Sequence, residues 1–268
     1  MSGKRPVISE PKDGGMLPET GAVLRESEHK ELAMEQDTRE RVLRFLGEKP
    51  LLRVAALAAL DRNSVDILDF REGGVLLRDT QSDIVFLCAD SDDAAWEILA
   101  ALPGCDIMTS ERTGLDERIT ARYGFTWRTA VYNTVYESDR PVPVDPGFAL
   151  RPLAMEAYPL VREHYHLLDG EGLAEHIARG DIMGGYVKEE LVGFIGRHNE
   201  GSLGMLYVFP WQRRRGYAWQ LEGHMINRVL ALGERVFGQV ILGNEPSLAL
   251  QRKIGMTLCG EVTSWMGK

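Results

Sequence analysis

The residues best placed to do chemistry form the run Pro210-Trp211-Gln212-Arg213-Arg214-Arg215-Gly216-Tyr217-Ala218, between an apolar segment, Leu203 to Phe209, and a segment with helical spacing, Tyr217 to Leu232. A loop that leaves a strand and enters a helix presents the unsatisfied N–H groups of the first helical turn, and the helix dipole adds positive potential there. Such a loop suits an anion of pyrophosphate type. Gly216 and Ala218 are small enough for close approach, and the three arginines place charge around the mouth. The helix itself is supported by Ala218, Leu221, Met225, Val229 and Leu232, which recur at three- and four-residue intervals. Glu222 reads as a solvated residue of that helix. On spacing alone, the same run reads equally as a solvated basic turn ahead of a surface helix.

A second set of residues could move protons. His198 and Glu200 lie on the turn before the apolar segment, and His164 and His166 lie on a helical segment, Glu156 to Leu168. A general base works best with a pKa near the operating pH, which makes these the candidates, although each also reads as a surface or structural residue. Cys88, Cys105 and Cys259 have no CxxC spacing and read as reduced thiols, with no metal site and no disulfide framework.

The elements that must position these groups follow from periodicity. Helical spacing covers Glu31 to Leu46, Leu51 to Leu60, Asp92 to Leu102, Leu115 to Tyr123, Leu173 to Arg179 and Pro246 to Ile254. Short Val, Ile, Leu and Phe runs predict strands at Ser64 to Phe70, within Gly74 to Ala89, and at Cys105 to Met108, Trp127 to Glu137, Gly185 to Arg197, Leu203 to Phe209, Val236 to Leu242 and Thr257 to Trp265. Residues 1–28, rich in Pro, Gly and charge, read as a flexible tail. Residues 141–147 read as a linker, because prolines at 141, 143 and 146 prevent helix and interrupt strand pairing. Two α/β units are therefore expected, 29–140 and 148–268. They echo one another: Ile119 to Thr126 and Leu250 to Thr257 share a helix end, a glycine and a threonine before a strand, and Ala95-Trp96-Glu97 parallels Ala218-Trp219-Gln220. Where the second unit has its arginines, the first has Ala89-Asp90-Ser91-Asp92-Asp93, whose carboxylates would repel a pyrophosphate. Asp92 or Asp93 is expected to cap the helix there.

The formal charge of −9 and the pI near 5.3 argue against a nucleic-acid binder, since that affinity rests on neutralised phosphates. The most apolar stretch, Leu51 to Leu60, is shorter than the ~20 residues of a membrane span. No secretion signal is legible, so a cytoplasmic location is expected.

Residues Tyr207 to Ala218 resemble motif A of the GNAT superfamily of acyl-CoA-dependent N-acyltransferases: Arg213, Gly216 and Ala218 fill the fixed positions of its [QR]-x-x-G-x-[GA] pattern, and Val208 and Pro210 match the preceding strand end. Asn244 to Met256 resembles a second element of the family, an asparagine followed by a helix ending in glycine. The overall organisation resembles that of glycine N-acyltransferase-like members with a degenerate first half. The resemblance implies two GNAT-like α/β (α+β) units, each a mixed, mostly antiparallel twisted sheet flanked by helices. It implies acetyl-CoA or another short acyl-CoA as cosubstrate, no metal, and transfer by direct attack of a primary amine of a small molecule or amino acid. Leu206, Tyr207 and Val208 would meet the pantetheine arm, Arg213, Arg214, Arg215, Gly216, Tyr217 and Ala218 the pyrophosphate, Asn244 the pantetheine, and Ser247 or Lys253 the nucleotide end. Two positions depart from the family. Gln251, seven residues after Asn244, stands where many members have a proton-donating tyrosine, and Gly204-Met205 stands where many have a strand glutamate. These departures motivate an alternative, a catalytically silent acyl-CoA-sensing regulator. The acceptor and the oligomeric state stay open.

Overall fold

The computed structural model describes residues 20–165 and 170–268. The chain divides into two units, Met1–Arg41 and Val42–Lys268. Helix α1, Thr20–Gly47, crosses that division, and the second unit carries every other element. Of the tail expected over residues 1–28, residues 1–19 lie outside the described residues, as does His166.

The first run of elements is α2 (Val54–Asp61), β1 (Val65–Arg71), β2 (Gly74–Asp79), β3 (Val85–Ala89), α3 (Asp92–Ile98), β4 (Ile107–Ser110), α4 (Asp116–Tyr123) and β5 (Trp127–Val135). Helix α2 is apolar all round, and all of it but Asp61 is buried, as the core position of such a helix requires. Strand β3 is buried at every residue because helices cover both of its faces, so its sequence is continuously apolar instead of alternating. The second run is β6 (Ala149–Pro152), α5 (Tyr158–His164), α6 (Gly170–Arg179), β7 (Ile182–Val187), β8 (Glu190–Arg197), β9 (Leu203–Val208), α7 (Tyr217–Ala231), β10 (Phe237–Ile241), α8 (Glu245–Ile254) and β11 (Thr257–Gly267). Strand β6 was not anticipated: it is four mostly exposed residues at the sheet edge, without apolar alternation and closed by a proline.

All the strands join one sheet, in the order β1-β2-β3-β4-β11-β5-β10-β9-β8-β7-β6. Its symmetry is legible in the pairings. Strands β3 and β4 run parallel, as β9 and β10 do, while the last strand of each run crosses to the other: β11 lies antiparallel beside β4, and β5 antiparallel beside β10. The two exchanged strands also pair with each other along most of their length. Helices α4 and α8, which deliver the chain into them, both end on left-handed glycines, Gly124 and Gly255, the closing residues of the echo between Ile119–Thr126 and Leu250–Thr257.

The proline-rich segment between the runs is bound to α7. The Val142 N–H donates to Asn227 Oδ1 at 2.7 Å, Asn227 Nδ2 donates back to the Val142 carbonyl at 2.9 Å, and Trp219 Nε1 donates to the Pro143 carbonyl at 3.0 Å. A Cβ at Gly223 would stand 2.9 Å from Val144, so this close approach needs glycine.

Candidate active site

The site is built where β9 meets α7. After Pro210–Gln212, a single 3-10 turn, Arg214 takes φ +62° and Gly216 φ +84°, and α7 starts at Tyr217. Two left-handed residues within three positions fold the loop back over the helix end, and Gly216 does so without steric cost. Among the described residues no side chain caps this terminus, and its first α-helical bond is Gln220 N–H to the Gly216 carbonyl at 3.2 Å. The amides of the first turn before it have no intrahelical acceptor. Arg213 to Gly216 are exposed. Arg213 Nε donates to the Val208 carbonyl at 3.1 Å, its guanidinium lying over the Tyr207 ring, and Arg215 donates to Gln212 Oε1 at 3.0 Å.

Strand β9 leads into that loop while parting from its parallel neighbour. The β9–β10 ladder consists of the single pair Leu203 and Gly238, and Met205 has φ +51° at a bulge against β8. A bulge re-aims the strand. The peptide groups beyond it therefore have no partner on β10 and open into a cleft.

A cavity of about 520 Å³ lies along this cleft, a size typical of small-molecule sites. Of the residues expected from sequence, Leu206, His198, Glu200, Asn244 and Ser247 line it. Tyr207, Val208 and the arginine loop continue from its β9 edge. Asn244 spends its side-chain oxygen capping α8, accepting from Ser247 N–H at 3.2 Å. Lys253 is exposed and sits with its ammonium 5.7 Å from the Trp219 ring. His164 does not line the cavity; it stacks on Tyr207 with centroids 5.7 Å apart. Glu200 is buried and accepts a hydrogen bond from the Ser202 hydroxyl.

Two features fill the positions at which the sequence departs from the GNAT pattern. The His198 imidazole lies over Gly204, with Nε2 2.4 Å from where a Cβ would stand, so it occupies the space a strand side chain would take. On the other side, Gln251 is buried, accepts from the Thr134 hydroxyl at 3.1 Å, and donates through Nε2 to Glu222 Oε1 at 2.5 Å. Thr134 belongs to β5, so the exchanged strand of the first run contributes to this network.

Glu222 corrects the sequence reading: it is 3% exposed and lines the cavity, and its second oxygen has no partner among the described residues. Burial pushes its carboxyl up to about 7, against the opposing hydrogen bond from Gln251. The signal was present in the sequence, because Ala218, Glu222, Met225 and Val229 are spaced by four, three and four residues, which puts Glu222 inside the apolar stripe. Leu232, expected on that stripe, is 60% exposed because the helix ends at Ala231.

The matching position of the first run is closed. Ser91, and neither Asp92 nor Asp93, caps α3, its hydroxyl accepting from Ala94 N–H at 3.1 Å. Asp90 pairs with Arg53 at 2.7 Å and Asp92 with Arg112 at 2.6 Å. No candidate metal cluster occurs among the described residues, and no described helix is long and apolar enough to cross a membrane.

Residues 182–266 match the model of a family described as FR47-like protein. A search of curated protein sequences finds no match. Among solved structures, a Drosophila structural-genomics protein aligns with 86% of this chain and 95% of its own, at 20% identity and a TM-score of 0.60. A GCN5-related N-acetyltransferase-like protein from Streptococcus suis aligns with 87% of this chain and 99% of its own, at 15% identity and a TM-score of 0.51. The chain thus has a GNAT-like fold, with a twisted open mixed sheet flanked by helices.

Proposed function

We propose that this protein is an acyl-CoA-dependent N-acyltransferase that moves an acetyl or short acyl group to the primary amine of a small molecule, by direct attack. The observation that carries this reading is the uncapped, arginine-flanked N-terminus of α7 at the end of a strand that parts from its neighbour over a cavity. These residues fit an acyl-CoA: the amides and arginines of 213–218 suit its pyrophosphate, and the unpaired edge of Leu206 to Val208 suits the amides of its pantetheine arm. When bound, it supplies the activated thioester carbonyl.

The chain's own residues would then do three things. The freed β9 amides polarise the carbonyl oxygen. His198, over Gly204, takes the proton of the attacking nitrogen. Glu222, held by Gln251 and protonated below about pH 7, gives its proton to the departing sulfur, the task that Gln251 itself cannot perform. This pairing of an imidazole with a buried carboxyl favours an enzyme over an acyl-CoA sensor. The second half of the chain is read as the catalytic unit, and residues 29–140 as a degenerate copy that binds no CoA.

Calorimetric titration with acetyl-CoA tests the loop. The wild type binds, while Gly216→Asp, which puts a carboxylate and a Cβ at φ +84°, binds at least 100-fold more weakly. Equal binding by both removes the loop from the site. Thiol release across an amine panel separates enzyme from sensor, because a sensor binds acetyl-CoA and turns nothing over.

A further inference from the structure

The cavity has a second wall, and its chemistry names a class of acceptor. Trp127, Thr129 and Val131 are alternate residues of β5, so they share one sheet face. Trp265 of β11 pairs directly with Thr129, Ile241 of β10 pairs with Val131, and all of them line the cavity with Ile84 and Ile107. This wall exists only because β5 and β11 change places: without the exchange, the face beside β10 would not carry Trp127, Thr129 and Val131. His198 and Glu200 line the same cavity. Among the described lining residues there is no lysine and no arginine, while two carboxyls, Glu200 and Glu222, are present.

From these walls, and resting on the acyltransferase reading above, we propose that the acceptor is a primary amine with an apolar, preferably aromatic, body and no carboxylate of its own: an arylalkylamine or alkylamine rather than an amino acid. The ammonium end is drawn to the His198 and Glu200 side, and the body lies on Trp127, Val131 and Trp265. An amino acid would bring a carboxylate into a cavity lined by Glu200 and, among the described residues, by no lysine or arginine to pair it, and burying an unpaired charge is costly. In the reaction, the bound ammonium first gives one proton to solvent water; the neutral amine nitrogen then bonds to the thioester carbonyl carbon and gives a second proton to His198. The carbon–sulfur bond breaks with its electron pair on sulfur, which leaves as the thiol with the proton of Glu222, and both residues are restored by exchange with water.

The test is steady-state thiol release from acetyl-CoA by the full-length protein, with matched acceptors that differ only in the carboxylate, phenethylamine against phenylalanine and hexylamine against 6-aminohexanoate, together with a lysine-containing peptide. The carboxylate-free member of each pair is expected to have a kcat/KM at least tenfold higher, and Trp127→Ala, at the cavity rim, to raise the KM for phenethylamine more than that for hexylamine. Equal or reversed preference within the pairs, or turnover confined to the peptide, overturns the acceptor class while leaving acetyl-CoA binding intact. Absence of acetyl-CoA binding by the wild type overturns the acyltransferase reading, and the acceptor with it. Should Trp127→Ala be poorly folded, Thr129→Arg serves in its place: a cation in the wall is expected to narrow the preference for phenethylamine over phenylalanine, and an unchanged preference counts against the wall.

Discussion

The N-terminus of α3 and that of α7 occupy matching places in two runs of the same topology, each after a strand whose parallel neighbour follows it, yet they are finished in opposite ways. At α3 the Ser91 hydroxyl takes an amide, and Asp90 is held by Arg53, whose side chain is fully buried and also bonds Glu111 and the Phe45 carbonyl. Burial opposes the charge of Arg53, and Glu111 and Asp90 more than offset it, so its pKa rises. At α7 nothing described caps the helix, and the nearby charges are exposed arginines. The same backbone device is thus satisfied by a side chain in one run and left without a described side-chain cap in the other, where the proposed site lies. A fold provides an anion site only where the chain declines to fill it.

This contrast can be broken at several points. Arg53→Ala leaves Glu111 buried and unpaired, and a loss of about 3–5 kcal/mol of stability is expected on thermal or denaturant unfolding. Acetyl-CoA binding by the folded fraction should not change, and if it does, the first run is no bystander.

Glu222 has its counterpart, by the echo of Ala95-Trp96 and Ala218-Trp219, in Leu99, a fully buried leucine. A carboxyl whose folded pKa is raised to about 7 keeps its proton while the unfolded chain, above about 4.5, has lost it. Stability therefore falls as pH rises from about 4.5 to 7 and levels off above. Glu222→Gln should remove that slope, leaving the variant more stable than the wild type by on the order of 3 kcal/mol above pH 7 and no different near pH 4. Parallel unfolding curves for the two proteins across this range would put Glu222 in water instead of in the core. The smallest effect is expected at the α3 cap, where Ser91→Ala should cost about 1 kcal/mol in chemical denaturation, with no change in acetyl-CoA affinity. A larger loss, or altered affinity, would mean that α3 is coupled to the site.

Much of this architecture was legible in the sequence because it is written locally. The strand-loop-helix around Gly216, the closing glycines 124 and 255, and the repeat of elements across the two runs all follow from short-range spacing, and so does the difference between Asp90–Asp93 and Arg213–Arg215. Glu222 was misread because a helical period specifies a face without saying how deeply that face is buried. His198 was a candidate by type alone. Its place over Gly204 depends on the turn at Gly201 and on the absence of a side chain one strand away.

By itself, the sequence determined where the proposed anion site falls and in which half, since amides, a left-handed glycine and three arginines are consecutive in the chain. Only the tertiary structure decided what faces that site. The exchange of β5 and β11, the aromatic wall it creates, the link from Thr134 through Gln251 to Glu222 and the burial that raises the Glu222 carboxyl join residues well over a hundred positions apart, 117 between Thr134 and Gln251. Such pairings are selected by burial and strand register across the whole sheet, which no local pattern encodes.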